Sequence, residues 1–407
     1  MQIEQIHIKN YKVFKDTKVK NLAPLCVFLG ANGSGKSTLF DVLGFISFAL
    51  KNNVTSAINA RGGIKEVISR GCDPYNSPIS FEIKFRNPKA FEDDSTQEKT
   101  TNPLITYELE ISWDEQQAKA IVNKEILKYR RGSYGHPWHF LDFRRGEGSA
   151  VTNEKEYGQE GATEKREERK LSSTEILAIK GLGQFEQYRV ISDFRILLEK
   201  WHISNFNIDQ AREISSTGVD EHLNEKGNNL ARVTKHIYDH HREVFDEILA
   251  KIPQRIPGIT KVEAKETEEG NILLKFQDDH FKDPFIGKFV SDGTMKMFAY
   301  MILLYDPNPH PLLCIEEPEN FLHPDLLTEL AEEIREYAQK GGQVLVSTHS
   351  PDFVNALDIS ELFFLIKDQG YTIIKAASDN QETQDLVQDG NQLGWLWRNR
   401  YIHGTNL

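Results

Sequence analysis

Four short stretches carry residue types whose spacing can do phosphate chemistry. Gly30-Ala-Asn-Gly-Ser-Gly35-Lys36-Ser37 fits G-x-x-x-x-G-K-[ST] in full. Glycines let backbone N–H groups turn inward around phosphate oxygens, and a following helix adds its positive end. Lys36 can then reach the β- and γ-phosphates of a nucleotide, and the Ser37 hydroxyl can ligate Mg2+. Leu312-Leu-Cys-Ile-Glu316-Glu317 is an apolar run ending in two carboxylates. One can hold Mg2+; the next can orient and deprotonate an attacking water. Taken alone, the same residues are an acidic loop after a core strand. Gln343-Val-Leu-Val-Ser-Thr-His349-Ser350 ends another apolar run in polar groups, with His349 able to contact a γ-phosphate or hold the water. Ser291-Asp-Gly-Thr294 opens the segment MKMFAYMILL and offers a hydroxyl and N–H donors to an anion. By local physics alone, a plain helix N-cap is the preferred reading.

These stretches need elements to hold them. LCVFL, residues 25–29, is continuously apolar, as a strand buried on both faces is. Residues 38–50 follow with helical spacing, Leu39, Val42, Leu43 and Ile46 sharing a face. After about residue 285 the pattern predicts helix, strand (PLLCIEE), helix (DLLTELAEEIREYAQ), strand (QVLVSTHS) and a hairpin (ELFFLIKDQGYTIIKA). Strands that run into a ligand site present their last residues at the carboxyl edge of a parallel sheet.

The middle of the chain differs. ISFEIKF, LITYELEISW and AIVNKEILKY predict antiparallel strands, residues 173–250 are mostly helical in pattern, and 259–276 return to strands. Residues 146–170 are charged and glycine-rich with few apolar residues, and read as a flexible loop. The expected architecture is an α/β head split in sequence, residues 1–75 and 285–407, with a mixed α+β lobe, residues 76–284, inserted between.

The chain has 407 residues, enough for two or three cores at roughly 150 residues per domain. A net charge of −12 argues against nonspecific coating of nucleic acid, while leaving room for a local basic patch. Lys128-Tyr-Arg-Arg131 and Arg144-Arg145 are the best basic candidates. Cys26, Cys72 and Cys314 are scattered; Cys26 and Cys314 lie in apolar runs and read as buried thiols, which points to a reducing, cytoplasmic compartment. MQIEQIHIKN alternates like a strand, and no apolar run approaches the ~20 residues that span a bilayer. His236 and His240 stand at i and i+4 without the intervening glutamate of H-E-x-x-H, and read as structural histidines.

Taken together and in this order, the motifs resemble the ABC-type ATPase head. Within it, EEPENFLHPDLL followed by STHSPDF is similar to the AAA-type predicted ATPase group, relatives of RecF and structural-maintenance heads and of anti-phage defence ATPases. GNNLARV and the closing QLGWLWRNRYIHG extend a weaker likeness over most of the chain. The resemblance implies ATP and Mg2+ as ligands. It implies Gly30, Asn32, Gly33, Ser34, Gly35, Lys36, Ser37 and Thr38, with Ser291 and Gly293, as nucleotide contacts. Ser37 and Glu316 would hold the metal, and Glu317 and His349 would be catalytic. The chain departs from many ABC heads in having Ser291-Asp-Gly-Thr294 as signature and Glu316 rather than Asp, and no Q-loop glutamine is identified. Lys12 or Tyr11 are further candidates for nucleotide contact.

In such heads one subunit's phosphate turn and the other's signature sandwich each nucleotide. The resemblance therefore implies at least a homodimer, with Asn320 and His323 near the seam. Three functions compete: a nucleotide-switched sensor-regulator with a separately encoded, nuclease-like effector in a defence cassette; a repair ATPase on duplex DNA; and a slow-turnover nucleotide-binding scaffold. No membrane partner is expected.

Overall fold

A computed structural model describes residues 1–86, 104–130, 136–159 and 161–402. Arg131 and the closing His403-Gly404 lie outside the described residues.

The chain opens with β1 (Gln2–Tyr11), β2 (Phe14–Val19) and β3 (Leu25–Leu29), then α1 (Lys36–Lys51), α2 (Val54–Asn59) and α3 (Ile64–Val67). Strands β4 (Ile79–Arg86), β5 (Leu104–Asp114), β6 (Lys119–Arg130), β7 (Trp138–Arg144), β8 (Glu147–Val151) and β9 (Arg166–Lys170) follow. Next come α4 (Ala178–Leu182), α5 (Arg189–Glu199), β10 (His202–Ser204), α6 (Ile208–Ala211), β11 (Ser215–Ser216), α7 (Leu230–His240) and α8 (Arg242–Arg255). Strands β12 (Ile259–Glu266), β13 (Asn271–Asp278) and β14 (Phe285–Ile286) precede α9 (Asp292–Leu304) and β15 (Leu312–Glu316). The chain continues through α10 (Asp325–Gln339), β16 (Gln343–Thr348), α11 (Pro351–Asn355), β17 (Leu362–Asp368), β18 (Tyr371–Ala376), α12 (Gln381–Gln388) and α13 (Leu393–Arg398).

Three sheets result. A six-stranded sheet runs β10-β15-β16-β3-β17-β18, parallel apart from its closing hairpin β17–β18. An eight-stranded antiparallel sheet runs β2-β1-β4-β5-β6-β7-β8-β9. A smaller one runs β11-β13-β12, with β14 on β13.

The apolar runs explain the layering. Successive residues of a strand face opposite sides, so Cys26 and Phe28 of β3, Cys314 of β15 and Phe363 of β17 enter one core. Val27, Leu29, Ile315, Val346 and Phe364 enter the other. The first core holds α1 between the parallel and antiparallel sheets: Phe45 lies against Tyr11 and Phe81, with ring centroids 5.6 and 5.7 Å away. The predicted face Leu39, Val42, Leu43 and Ile46 is buried, and so are Phe40, Phe45 and Ala49, because α1 is covered on more than one side. The second core receives α9 and α10.

β1 pairs with β4 (Ile6 opposite Ile83), and β10 completes the parallel sheet beside β15. The Gln343 side chain joins the sheets further, accepting from the Ile3 N–H and donating to the Ile3 carbonyl, each at 2.8 Å. The stretch 146–170 is not a structureless loop, since β8 and β9 pair in register from Glu147–Lys170 to Val151–Arg166. Its backbone supplies the ladder, and its charges suit an exposed sheet edge: Lys170 lies 2.5 Å from Glu147 and Arg169 2.7 Å from Glu167. Cys26 and Cys314 are buried, and burial pushes both thiols up. No helix among the described residues is long and apolar enough to cross a membrane.

Candidate functional site

The turn between β3 and α1 is shaped by close packing. Gly35 has φ +104°, and a Cβ there would lie 2.8 Å from Val13 Cγ2 and 3.0 Å from Thr372 Oγ1. A Cβ on Gly30 would lie 2.5 Å from Ser34 Oγ. Thr372 Oγ1, on β18, donates to the Ser34 carbonyl at 2.7 Å, so the far hairpin fixes the turn. Lys36 is buried and folds back on its own loop, donating to the carbonyls of Gly30 (2.7 Å) and Ala31 (3.3 Å). Burial lowers its pKa, against the pull of Glu317, Glu319 and Glu316. Asn32, Gly33 and Ser37 are exposed, Thr38 is half-buried, and Ser34 is buried.

The carboxylates arrive from the neighbouring strand. β15 and β16 pair with Glu316 opposite Ser347. Ser37 Oγ donates to Glu316 Oε2 at 3.0 Å, joining residues 279 positions apart. Burial raises the pKa of Glu316, and the Ser37 hydrogen bond opposes that. Glu317 sits at φ +44°, a left-handed conformation that side chains other than glycine rarely adopt. Its N–H still continues the ladder, donating to the Ser347 carbonyl at 2.8 Å. The turn aims its carboxylate at His349: Nδ1 lies 3.4 Å from Glu317 Oε1. Asn320 Nδ2 donates to Glu317 Oε2 at 3.0 Å.

Two residues that the motifs did not single out belong to this cluster. Glu319 Oε1 accepts from the His349 N–H and from Thr348 Oγ1, both at 2.8 Å, and lies 3.4 Å from His349 Nδ1. Lys296, on α9, is buried and donates to the Glu317 carbonyl at 3.3 Å. Burial lowers its pKa to about 8, against Glu319 and Glu317. The signals were a third carboxylate in E-E-P-E and one cation in the otherwise apolar run 295–304.

Ser291 caps α9, its hydroxyl accepting from the Thr294 N–H at 3.2 Å. With Gly293 and Thr294 it lines a groove whose other wall is Phe321 and His323. The structure therefore gathers Lys36, Ser37, Glu316, Glu317 and His349, while Ser291 and Gly293 face a separate groove without the phosphate turn among its lining. Tyr11 and Lys12 donate to Asp41 of α1, at 2.7 and 2.5 Å, and brace the helix from behind the turn.

The arrangement suits an anionic ligand with a hard cation. Ser34 Oγ, Ser347 Oγ and Glu319 Oε2 are buried around the turn without a hydrogen-bond partner, and buried polar atoms ordinarily have one. Ser37 and Glu316 offer oxygen donors of the kind Mg2+ takes.

Residues 25–355 match the family described as "AAA domain, putative AbiEii toxin, Type IV TA system". The "Old nuclease" of Escherichia phage P2 is 22% identical over 195 residues, covering 37% of this chain and 33% of that protein. The match thus spans about a third of that relative's length. Among solved structures, the SmcHead bound to the C-winged helix domain of ScpA is similar in fold, with TM-score 0.56, 16% identity, and coverage of 92% of this chain and 98% of that one. With the family match extending over most of its length, the chain belongs to this AAA-domain, AbiEii-like family, and its fold is that of an ABC-ATPase-like head.

Proposed function

We propose that the protein binds and hydrolyses Mg-ATP and works as a dimeric nucleotide switch that signals to a separately encoded, nuclease-like effector. The observation that carries this reading is the 3.0 Å contact between Ser37 Oγ and Glu316 Oε2, which brings two hard oxygen donors together beside a phosphate-type turn. Ser37 and Glu316 would hold Mg2+, which when bound would supply charge neutralisation at the phosphates. Lys36 exchanges its own loop carbonyls for phosphate oxygens, and the Gly30–Thr38 backbone cradles the phosphates. Glu317 takes the proton of the attacking water, while His349 holds that water in line. Lys296 and Asn320 keep the Glu317 turn in place.

Ser291 and Gly293 line a groove apart from their own phosphate turn, which supports a site completed by a second copy. We assign the nucleotide chemistry to residues 1–75 and 285–407 and signalling to 76–284, linked through β10 and the β1–β4 ladder. The likeness to the Old nuclease of Escherichia phage P2 supports a nuclease-like effector. The DNA reading is less favoured because two of the basic candidates already face carboxylates: Lys128 with Glu108, and Arg144 with Asp142 at 3.7 Å.

The test is ATP turnover by the wild type and Glu317→Gln, with and without duplex DNA, alongside molecular mass in ATP. Turnover in the variant should fall about 10²–10⁴-fold, with a mass doubling on ATP. Equal turnover would remove Glu317 from the mechanism. Stimulation by DNA that fades with salt would favour the repair reading, and absent turnover in the wild type the scaffold.

A further inference from the structure

Opposite the phosphate turn, at the amino ends of the parallel strands, lies a second cluster of chemistry-bearing side chains. His222 comes from the connection between β11 and α7, Asp306 from the end of α9 and His310 from the approach to β15. One donor atom from each lies within 4.8 Å of the others. His222 Nδ1 is 2.6 Å from Asp306 Oδ2, and the Asn308 N–H donates to Asp306 Oδ1 at 2.8 Å.

An ion pair alone would account for His222 and Asp306. It leaves His310 unexplained. That residue is 8% exposed. Its Nδ1 is engaged with the Lys200 carbonyl at 3.1 Å, which makes Nδ1 the donor and leaves a lone pair on Nε2. Nε2 is buried with no hydrogen-bond partner. The His202 ring stacks on His310, centroids 4.5 Å apart, and closes the other face. A buried lone pair without a donor is costly unless a proton or a Lewis acid meets it. An imidazole whose other nitrogen is anchored on a carbonyl is the usual arrangement of a metal-ligating histidine.

We propose that His222, Asp306 and His310 form a binding site for one Zn2+-class cation. Two imidazoles and a carboxylate are a borderline donor set suited to Zn2+ rather than Mg2+. Asp306 and His310 are buried while the His222 side chain is 36% exposed, so the ion enters from the His222 side and keeps a water in its fourth position. The ion staples the carboxyl end of α9, whose amino end carries Ser291 and Gly293, to the approach to β15 and the 217–229 connection. Metal occupancy thereby stiffens the helix that presents the signature residues.

The experiment uses full-length, nucleotide-free protein stripped with a chelator. Co2+ alone is titrated for the visible absorption of a tetrahedral site, then displaced with Zn2+; thermal midpoints are read alongside. Variants are His222→Asn and, as controls for other histidine and acidic groups, His240→Asn, His280→Asn and Glu316→Gln. One equivalent of Co2+ displaced by Zn2+, with a raised midpoint, is expected in wild type and all controls. His222→Asn should retain its circular dichroism and lose affinity by at least the roughly 10–100-fold that even an outer-shell partner costs. Binding unchanged in His222→Asn, binding lost in a control instead, or no tetrahedral spectrum in wild type would each overturn the proposal.

Discussion

The His349 backbone N–H donates to Glu319 Oε1 at 2.8 Å, so the histidine at the end of β16 is held by the carboxylate that follows the β15 turn. The same oxygen accepts from Thr348 Oγ1. Glu319 thus acts as a positioning residue for His349. Glu319→Ala leaves both donors unpaired and should cost about 1–3 kcal/mol of stability. Glu319→Gln keeps an acceptor and should retain most of that stability. Turnover should fall about tenfold or more in the alanine variant, equivalent to about 1.4 kcal/mol, and less in the glutamine variant. Urea unfolding and ATPase rates on both variants check this; equal destabilisation by Gln would show that charge, rather than the acceptor, matters.

Lys36→Met preserves the length of the side chain and removes its charge. The lost charge-assisted bonds to phosphate, about 1.5–3 kcal/mol, correspond to about 10–150-fold weaker nucleotide binding. Stability without nucleotide should be nearly unchanged, because burying the ammonium already opposes its bonds to Gly30 and Ala31. Titration with a fluorescent ATP analogue and a denaturation midpoint separate the two effects.

Gly35→Ala and Gly33→Ala separate conformation from crowding. Both positions have positive φ, +104° and +76°, each costing alanine about 1–2 kcal/mol. At Gly33 nothing lies within 4 Å of the new methyl, whereas at Gly35 it meets Val13 and Thr372. Gly35→Ala should therefore lose about 1–3 kcal/mol more. Similar unfolding free energies for both variants would show that the β18 contact does not constrain the turn.

Glu125 gives a stability that depends on pH. Its carboxylate is wholly buried at the start of α4, accepting from Tyr107 (3.0 Å) and from the N–H groups of Ala178 and Ile179. Burial raises its pKa to about 7, despite those donors. The folded value lies above the unfolded one, about 4.3. Stability from this group is therefore full below pH ~4.3 and is lost as pH rises through about 7. The loss is on the order of 3 kcal/mol. Between pH 5 and 8 the wild type should lose most of that relative to Glu125→Gln, by urea unfolding. A difference independent of pH would mean that Glu125 keeps one protonation state across this range.

The chemistry of the phosphate turn was legible in the chain because it is local. A strand, a glycine turn and a helix start are contiguous, and Gly30–Ser37 needs no distant partner to present N–H groups. The buried strands were legible for a related reason: LCVFL, LLCI and VLV are apolar at every position, as strands of a sheet covered on both faces are. The β17–β18 hairpin was legible in Asp368-Gln-Gly-Tyr371, where Gln369 and Gly370 take the positive φ that such a turn requires.

Other features were decided only by the folded chain. Charge and glycine content made 146–170 read as a loop, yet β8 and β9 pair through backbone groups, which composition does not register. The β1–β4 pairing and the three residues of β10 depend on long-range registers that no local pattern encodes. Glu319, Lys296 and Glu125 are polar residues whose meaning comes from what surrounds them. A carboxylate in water and a carboxylate facing a histidine or a helix start are the same letter in the sequence. Only tertiary packing removes the water and supplies the partner, and that removal sets their chemistry.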